Sequence, residues 1–236
     1  MDAPLRFRDS GNWLLDRIPT DEYGLLAPHL QREGMELKQV IHQIDEDVDF
    51  LQFPTSALAS ALLVLEEEDP IEAATVGREG MLGVAAALGV AESPHRVICQ
   101  MAGEMIRIPT REFLRAMARG PIIARLIRRY AVFSIRHAGQ GIACNALHLS
   151  EARACRWLLS IHDQAGSDEF PLTQEFLALM LGLRRQGVTV IAGTLQNAGI
   201  ISYHRGRIRV LDRLRLEDAA CECYAASRRY YEQIMA

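Results

Sequence analysis

Nowhere in this sequence is there an apolar run long enough to cross a bilayer. The longest, "SALASALLVL" and "MLGVAAALGVA", stop well short of the roughly 20 residues a transmembrane helix needs. The opening segment "MDAPLRFRDS" lacks the apolar core of a secretory signal, so the chain reads as soluble and cytoplasmic, with no membrane partner. Among the five cysteines (Cys99, Cys144, Cys155, Cys221, Cys223) there is no CxxC pair and no CxxC…HxxxH spacing. Their odd, scattered placement suits a reducing compartment better than a disulfide framework. Only Cys221 and Cys223 are near neighbours, and on a helix they would face about 200° apart, given roughly 3.6 residues per turn. No metal site and no cofactor are therefore expected. Also missing are a glycine-rich phosphate loop with its lysine, a His-Glu-x-x-His helix and a serine elbow, which argues against an enzyme. Lysine itself is nearly absent. Lys38 is the only one among 26 basic residues, a chain-wide bias that carries no function by itself, whereas the local placement of the arginines can.

What is present is enough for a packed core and for two modest domains: 236 residues, 49% hydrophobic and 24% charged. Short helices are expected over "NWLLDRI", ended by Pro19, and over "DEYGLLAPHL", interrupted by Pro28. From Met35 to about Ile108 the pattern turns to short strand-like runs: "ELKQVIHQI", "VDFLQFP", "ASALLVLEE", "IEAATVG", "HRVICQM" and "EMIRIP". Clusters such as "EEEDP", "GREG" and "AESP" separate them, and "GREGMLG" reads as a β-turn. Strands at this spacing predict a β-sandwich or a small jelly-roll barrel.

After "IPTREFLRAM" the period becomes helical. Leu126, Tyr130, Phe133, His137, Gly141, Cys144 and His148 recur at intervals of three or four, with no proline after Pro121 in that stretch. Such a helix would be too long for one small domain to cover. We read Leu126, Tyr130, Phe133, His137, Gly141 and Cys144 as a seam between two copies of the chain; an ordinary core helix of one domain is the competing reading.

The most informative stretch is "PLTQEFLALMLGLRRQGVTVIAGTLQNAGIISYHRGRIRV". Between Phe176 and Leu211 it holds five arginines and no acid, although the whole chain carries a net charge of −4. Thr173 is a good N-cap, with Leu172 and Leu177 placed as a hydrophobic staple. A helix over Gln174–Leu181 is broken by Gly182. A second begins near Arg185 and buries Val188, Ile191, Ala192 and Leu195, with Gly199 placed to end it. The strand-like runs "IISY" and "RIRVL", joined by "HRG", then read as a hairpin wing. This burial pattern leaves Arg185, Gln186, Thr189 and Gly193 exposed at or near the N-terminal half of the second helix. A helix in the major groove reads bases with that end. Arginine can then make a bidentate contact to guanine, and glutamine to adenine. Thr173, Arg184, His204, Arg205 and Arg207 flank this face and suit phosphate contacts.

These residues resemble the winged helix-turn-helix of the cyclic-AMP receptor protein/fumarate–nitrate regulator (Crp/Fnr) family, and the likeness extends upstream through "GREGMLG" and the long helix. The resemblance implies an α+β chain: a β-roll sensor (1–118), a dimerisation helix (119–147), a winged helix-turn-helix (148–213) and a C-terminal helix (214–236). It implies a homodimeric transcription factor on a palindromic operator in double-stranded DNA, with RNA polymerase as a candidate protein partner. The effector region would be Gly80, Met81, Leu82 and Gly83. In cyclic-nucleotide-binding members a glutamate follows the loop glycine, where this chain has Met81. Their arginine and Ser/Thr pair falls on Ser93 and Pro94. With those groups gone, a buried cyclic phosphate would lack its partners unless Arg96 substituted. The cysteine cluster of the oxygen-sensing branch is also absent, and His42 and His95 read as strand or loop residues rather than haem ligands. In the recognition helix Gln186 replaces the family's usual glutamate, and Val190 stands where many members carry a second arginine. An adaptor that keeps the fold but is silent toward DNA is the alternative, and a steep salt dependence of DNA affinity would separate the two.

Overall fold

The computed structural model describes residues 10–64 and 70–236. The readings on "MDAPLRFRD", on the Leu65–Glu67 end of "ASALLVLEE" and on the acids of "EEEDP" lie outside them. The chain divides into two compact units, with the boundary in the long helix between Ser134 and Ile135; the segment Leu63–Ala74 groups with the second unit.

The first unit opens with α1 (Trp13–Asp16), α2 (Thr20–Leu26) and a 3₁₀ turn at Ala27–His29. Strands β1 (Gln31–Met35), β2 (Val40–His42), β3 (Phe50–Pro54), β4 (Leu58–Leu63) and β5 (Ile71–Val76) follow, most of β5 lying in the segment that groups with the second unit. The short helix α3 (Val84–Ala87), β6 (Arg96–Met101), β7 (Gly103–Pro109) and α4 (Thr110–Arg119) complete it. The strands form a three-stranded sheet of order β1-β7-β3 and a four-stranded sheet of order β2-β6-β4-β5. The fully buried Leu51, Phe53, Leu58, Met105 and Ile108 come from both sheets, and Phe113 of α4 joins them. Six of the seven strands follow the runs read from sequence. The exception is β1, "QREGM", which is exposed along most of its length and so has no apolar alternation to betray it.

Two buried polar side chains set the entry to the unit. Asn12 is fully buried; its Oδ1 accepts from the amides of Leu14 and Leu15, capping α1. Its Nδ2 donates to Pro54 O at 2.9 Å and to Gly80 O at 2.8 Å, tying α1 to the end of β3 and to the Gly80 loop. Glu22 is buried on α2, and its carboxylate accepts from the amides of Ile122 (3.0 Å) and Ile123 (2.8 Å). Those amides are the unpaired donors in the first turn of α5 (Pro121–Leu147), a 27-residue helix with proline at its first position. The positive end of the helix dipole offsets the cost of burying the charge. Replacing Glu22 with glutamine keeps the shape and one acceptor but removes the charge. The expected loss is about 1–2 kcal/mol of unfolding free energy, measurable by urea titration.

Helix α5 buries most of the residues expected at the dimer seam within the chain itself. Leu126, Tyr130 and Phe133 are buried within the first unit, and Cys144 within the second. Tyr130 lies so close to Gly80 that a Cβ there would sit 1.9 Å from its hydroxyl. His137 is also enclosed; burial and the charge of Arg156 push its imidazole pKa down to about 4. Gly141 is half-buried. A different face of the helix remains open: Val132, Ile135, Gly139, Ile142 and Ala146, continued by Leu149. Ile135 is 74% exposed, Ile142 73% and Leu149 83%. Their spacing of alternating three and four residues is that of a heptad seam, Val132, Gly139 and Ala146 alternating with Ile135, Ile142 and Leu149.

The second unit contains α6 (Ser150–Ala165), β8 (Glu169–Pro171), α7 (Gln174–Leu181), α8 (Arg185–Asn197), β9 (Ile201–His204), β10 (Arg207–Val210), α9 (Arg213–Ala219) and α10 (Cys223–Met235). A single C-terminal helix was expected where α9 and α10 stand; the backbone turns extended at Ala220 (ψ 152°) and breaks it. Among the described residues no single helix is long and apolar enough to cross a membrane.

Candidate nucleic-acid interface

The second unit builds its exposed face from local signals. Thr173 Oγ1 accepts from Phe176 N at 3.2 Å and starts α7, while the staple residues Leu172 and Leu177 are both buried. Gly182 ends the helix at φ 61°, and Leu183 N returns to Ala178 O at 2.9 Å, a glycine-dependent C-cap. Arg153 of α6 donates to Leu181 O, holding the same helix end from a neighbouring element. Helix α8 then departs at 106° to α7, within the range of helix-turn-helix pairs. Val188, Ala192 and Leu195 are buried on its inner face, with Ile191 half-buried. Gly199 (φ 70°) closes it, as its position suggests.

The wing is a three-stranded sheet of order β8-β10-β9. Its tip is a two-residue turn in which Arg205 (φ 47°) and Gly206 (φ 73°) both take left-handed backbone. That is a type I′ hairpin, matched to the twist of the flanking strands. The third strand, β8, was not anticipated; Phe170 on it pairs with Ile208, and both are buried.

The outer face carries Arg184, Arg185, Gln186, Thr189, His204, Arg205 and Arg207, all exposed, as is Thr173. They are not equivalent. Arg185 pairs with Glu175 at 2.8 Å, both side chains being more than half exposed. Thr189 Oγ1 lies 2.9 Å from Gln174 Oε1 and 3.1 Å from Arg185 O, so its hydroxyl is engaged between α7 and α8. Arg207 and Arg209 both bind the carboxylate of Glu169, whose pKa their hydrogen bonds lower. Among the described residues Arg184 and Arg205 form no ion pair. The stretch that lacks acids in sequence thus meets two of them in space, Glu169 and Glu175, which stand just upstream.

The loop expected to hold an effector is occupied by the chain itself. Tyr130 covers Gly80, and Met81 and Leu82 are buried. Leu82 N donates to Gln52 O at 2.8 Å, and Gly83 turns into α3 at φ 82°. Ser93 is buried and its hydroxyl donates to His95 O at 2.8 Å, serving its own turn. Arg96 lies half-buried on β6, its Nε without a hydrogen-bond partner among the described residues. His42 is held by Gln52 at 2.8 Å, and burial lowers its pKa, as it does that of His95.

One group overturns an expectation outright. Cys221 is not helical; it lies in the link before α10, and Cys223 is the first residue of that helix. The 200° separation therefore does not apply, and both sulfurs meet Cys144 and His148. Burial raises the Cys221 thiol to about 12, with help from neighbouring Cys144.

Two helices crossing at 106° under a hairpin wing, with an arginine and a glutamine at the open end of the second helix, define a winged helix-turn-helix DNA-binding protein. Residues 152–219 match the Crp-like helix-turn-helix domain family. No curated protein matches the chain. Solved structures share its fold. FixK2 from Bradyrhizobium japonicum superposes with a TM-score of 0.71 at 14% identity, covering 81% of this chain and 98% of its own. A CRP-family transcriptional regulator from Thermus thermophilus gives 0.62 at 20%, covering 80% and 96%. The c-di-GMP responsive global regulator CLP from Xanthomonas campestris gives 0.63 at 14%, covering 80% and 98%. The chain has the fold of Crp/Fnr-type transcription regulators, and residues 152–219 form a Crp-like helix-turn-helix DNA-binding domain.

Proposed function

We propose that the chain acts in the cytoplasm as a homodimer that binds a palindromic operator in double-stranded DNA, a binding protein rather than an enzyme. RNA polymerase is its protein partner where it activates. The observation that carries this reading is the exposed N-terminal end of α8 with Arg185 and Gln186, together with Arg184 and Arg205, which form no ion pair among the described residues. The dimer rests on the open heptad face of α5. Operator affinity that falls steeply with salt supports the reading; salt-insensitive or undetectable DNA binding would favour the silent adaptor.

The wing tip supplies a sharper test. Arg205 holds a left-handed backbone that costs an ordinary L-residue about 1 kcal/mol or more. Substituting asparagine would create the Asn–Gly pair that type I′ turns favour. Arg205→Asn is expected to raise stability by about 0.5–1 kcal/mol while weakening all DNA sequences alike. The salt slope should become shallower by about one unit per half-site. A variant that gains no stability, or whose binding changes at one base only, would contradict the assignment of Arg205 as a phosphate anchor.

The first unit is proposed to work without cyclic nucleotide. Buried Met81 stands in the place of the glutamate, and Tyr130 closes over Gly80. Calorimetric titration with cyclic AMP or cyclic GMP is expected to show no tight binding and no rise in DNA affinity. A micromolar dissociation constant would refute this and point to Arg96 as the phosphate partner.

A further inference from the structure

Cys144, His148, Cys221 and Cys223 all belong to the second unit, and none takes part in the DNA-reading face. Their ligand atoms lie within 4.8 Å of one another. Cys144 Sγ is 3.5 Å from Cys221 Sγ, and Cys223 Sγ is 3.5 Å from His148 Nδ1. A tetrahedral zinc ion with Zn–S about 2.3 Å and Zn–N about 2.0–2.1 Å has S···S edges of about 3.8 Å and S···N edges of about 3.5 Å. The side chains already stand at these spacings or within about an ångström of them. We propose that the four residues form a closed Cys₃His site for a thiophilic divalent cation, zinc(II), held by three Sγ atoms and His148 Nδ1.

The fold delivers the donors from two elements. Cys144 and His148 are one turn apart at the end of α5, linked by the bond from His148 N to Cys144 O at 3.1 Å. Cys221 and Cys223 come from the link into α10. A C-x-C pair suits one ion only when the backbone is not continuously helical, and here Cys221 lies outside the helix that begins at Cys223. Surrounding groups fit a charged cluster. Gln140 Nε2 donates to Cys223 Sγ at 3.1 Å, which would support a thiolate. Glu222 Oε1 lies 4.0 Å from His148 Nε2, placed to orient the ring for Nδ1 ligation. On binding, the three thiols release three protons, and the ion with three thiolates carries a net charge of −1. With three soft sulfurs and no open position, the role is structural: the ion ties α10 to the end of α5. Arg136, stacked 4.3 Å from the Tyr230 ring centroid, joins the same two helices farther along.

Full-length protein purified under reducing conditions, without added metal or chelator, should contain one zinc per chain by elemental analysis. Cobalt(II) exchange should give thiolate-to-cobalt absorption and the d–d bands of a tetrahedral ion. Cys223→Ser and His148→Gln should lose this metal, whereas Cys99→Ser and Cys155→Ser should keep it. Gln140→Ala should weaken affinity by about 10–100-fold. Metal-free protein with all thiols reduced and no tetrahedral cobalt spectrum would overturn the proposal. So would a Cys144–Cys221 disulfide found by peptide mapping in its place, or equal metal loss in the Cys155 variant. If the ligand variants fail to fold, the wild-type cobalt spectrum alone decides.

Discussion

Replacing Ile142 with glutamate is expected to leave a folded monomer that binds its operator about 10²–10⁴-fold more weakly than wild type. The side chain is 73% exposed on α5, so the substitution costs the isolated chain little. In a dimer joined along Val132, Ile135, Gly139, Ile142 and Ala146, the same position lies at the seam, and two glutamates would face each other across it. Losing the second half-site contact removes the effective concentration that links the two binding events, which sets the range given. Gly139 and Ala146 let the helix backbones approach closely, so Gly139→Leu should also separate the copies. Tyr130→Glu is the contrasting variant. Tyr130 is 2% exposed and packed on Gly80, so a charge there is buried without a partner and the first unit should lose its cooperative unfolding transition. Sedimentation and circular dichroism on both variants decide the matter. A dimeric Ile142→Glu protein, or a folded monomeric Tyr130→Glu protein, would return the seam to Leu126, Tyr130 and Phe133.

The two apolar stripes of α5 show where sequence patterning stops being informative. Helix α5 carries apolar residues at three- and four-residue spacing on two faces, and spacing identifies a helix without saying what covers each stripe. Leu126, Tyr130 and Phe133 are larger and more aromatic, so they drew the assignment, yet they serve the chain's own core. By contrast, the helix-turn-helix was legible almost residue by residue. Its determinants are local: an N-cap hydroxyl at Thr173, left-handed glycines at 182 and 199, and a stripe of three buried residues on α8. Strands β1 and β8 escaped notice because one is mostly exposed and the other is only three residues long. The cysteine cluster was hidden for another reason. Its donors are separated by 77 positions between Cys144 and Cys221, and the 200° separation holds only within one helix, whereas α10 begins at Cys223 and leaves Cys221 outside it.

Arg185→Ala should cost about 1–3 kcal/mol of operator binding and relax the preference at one guanine per half-site. The structure adds a competitor that sequence alone did not show: Arg185 is paired with Glu175 at 2.8 Å before any DNA arrives. An exposed ion pair of this kind is worth about 0–1 kcal/mol, less than a bidentate arginine–guanine contact at about 1–3 kcal/mol. On the proposed reading the base should win, and Glu175 should act as a small brake on the guanidinium. Glu175→Gln should raise operator affinity by no more than about fivefold, the equivalent of the pair it releases. That gain should vanish in the Arg185→Ala background, because the carboxylate would then have no arginine to restrain. Gln186 is expected to give the neighbouring contact. Its amide offers both a donor and an acceptor and matches adenine, so Gln186→Glu should move that base toward cytosine. Val190, 68% exposed, can contribute only apolar contact there, and the base it faces should be loosely specified. A randomised-operator selection on wild type and these variants, at two salt concentrations, reads all of these effects together. If Glu175→Gln strengthens binding equally with and without Arg185, the carboxylate repels DNA in general, and its proposed hold on the base-reading arginine is wrong.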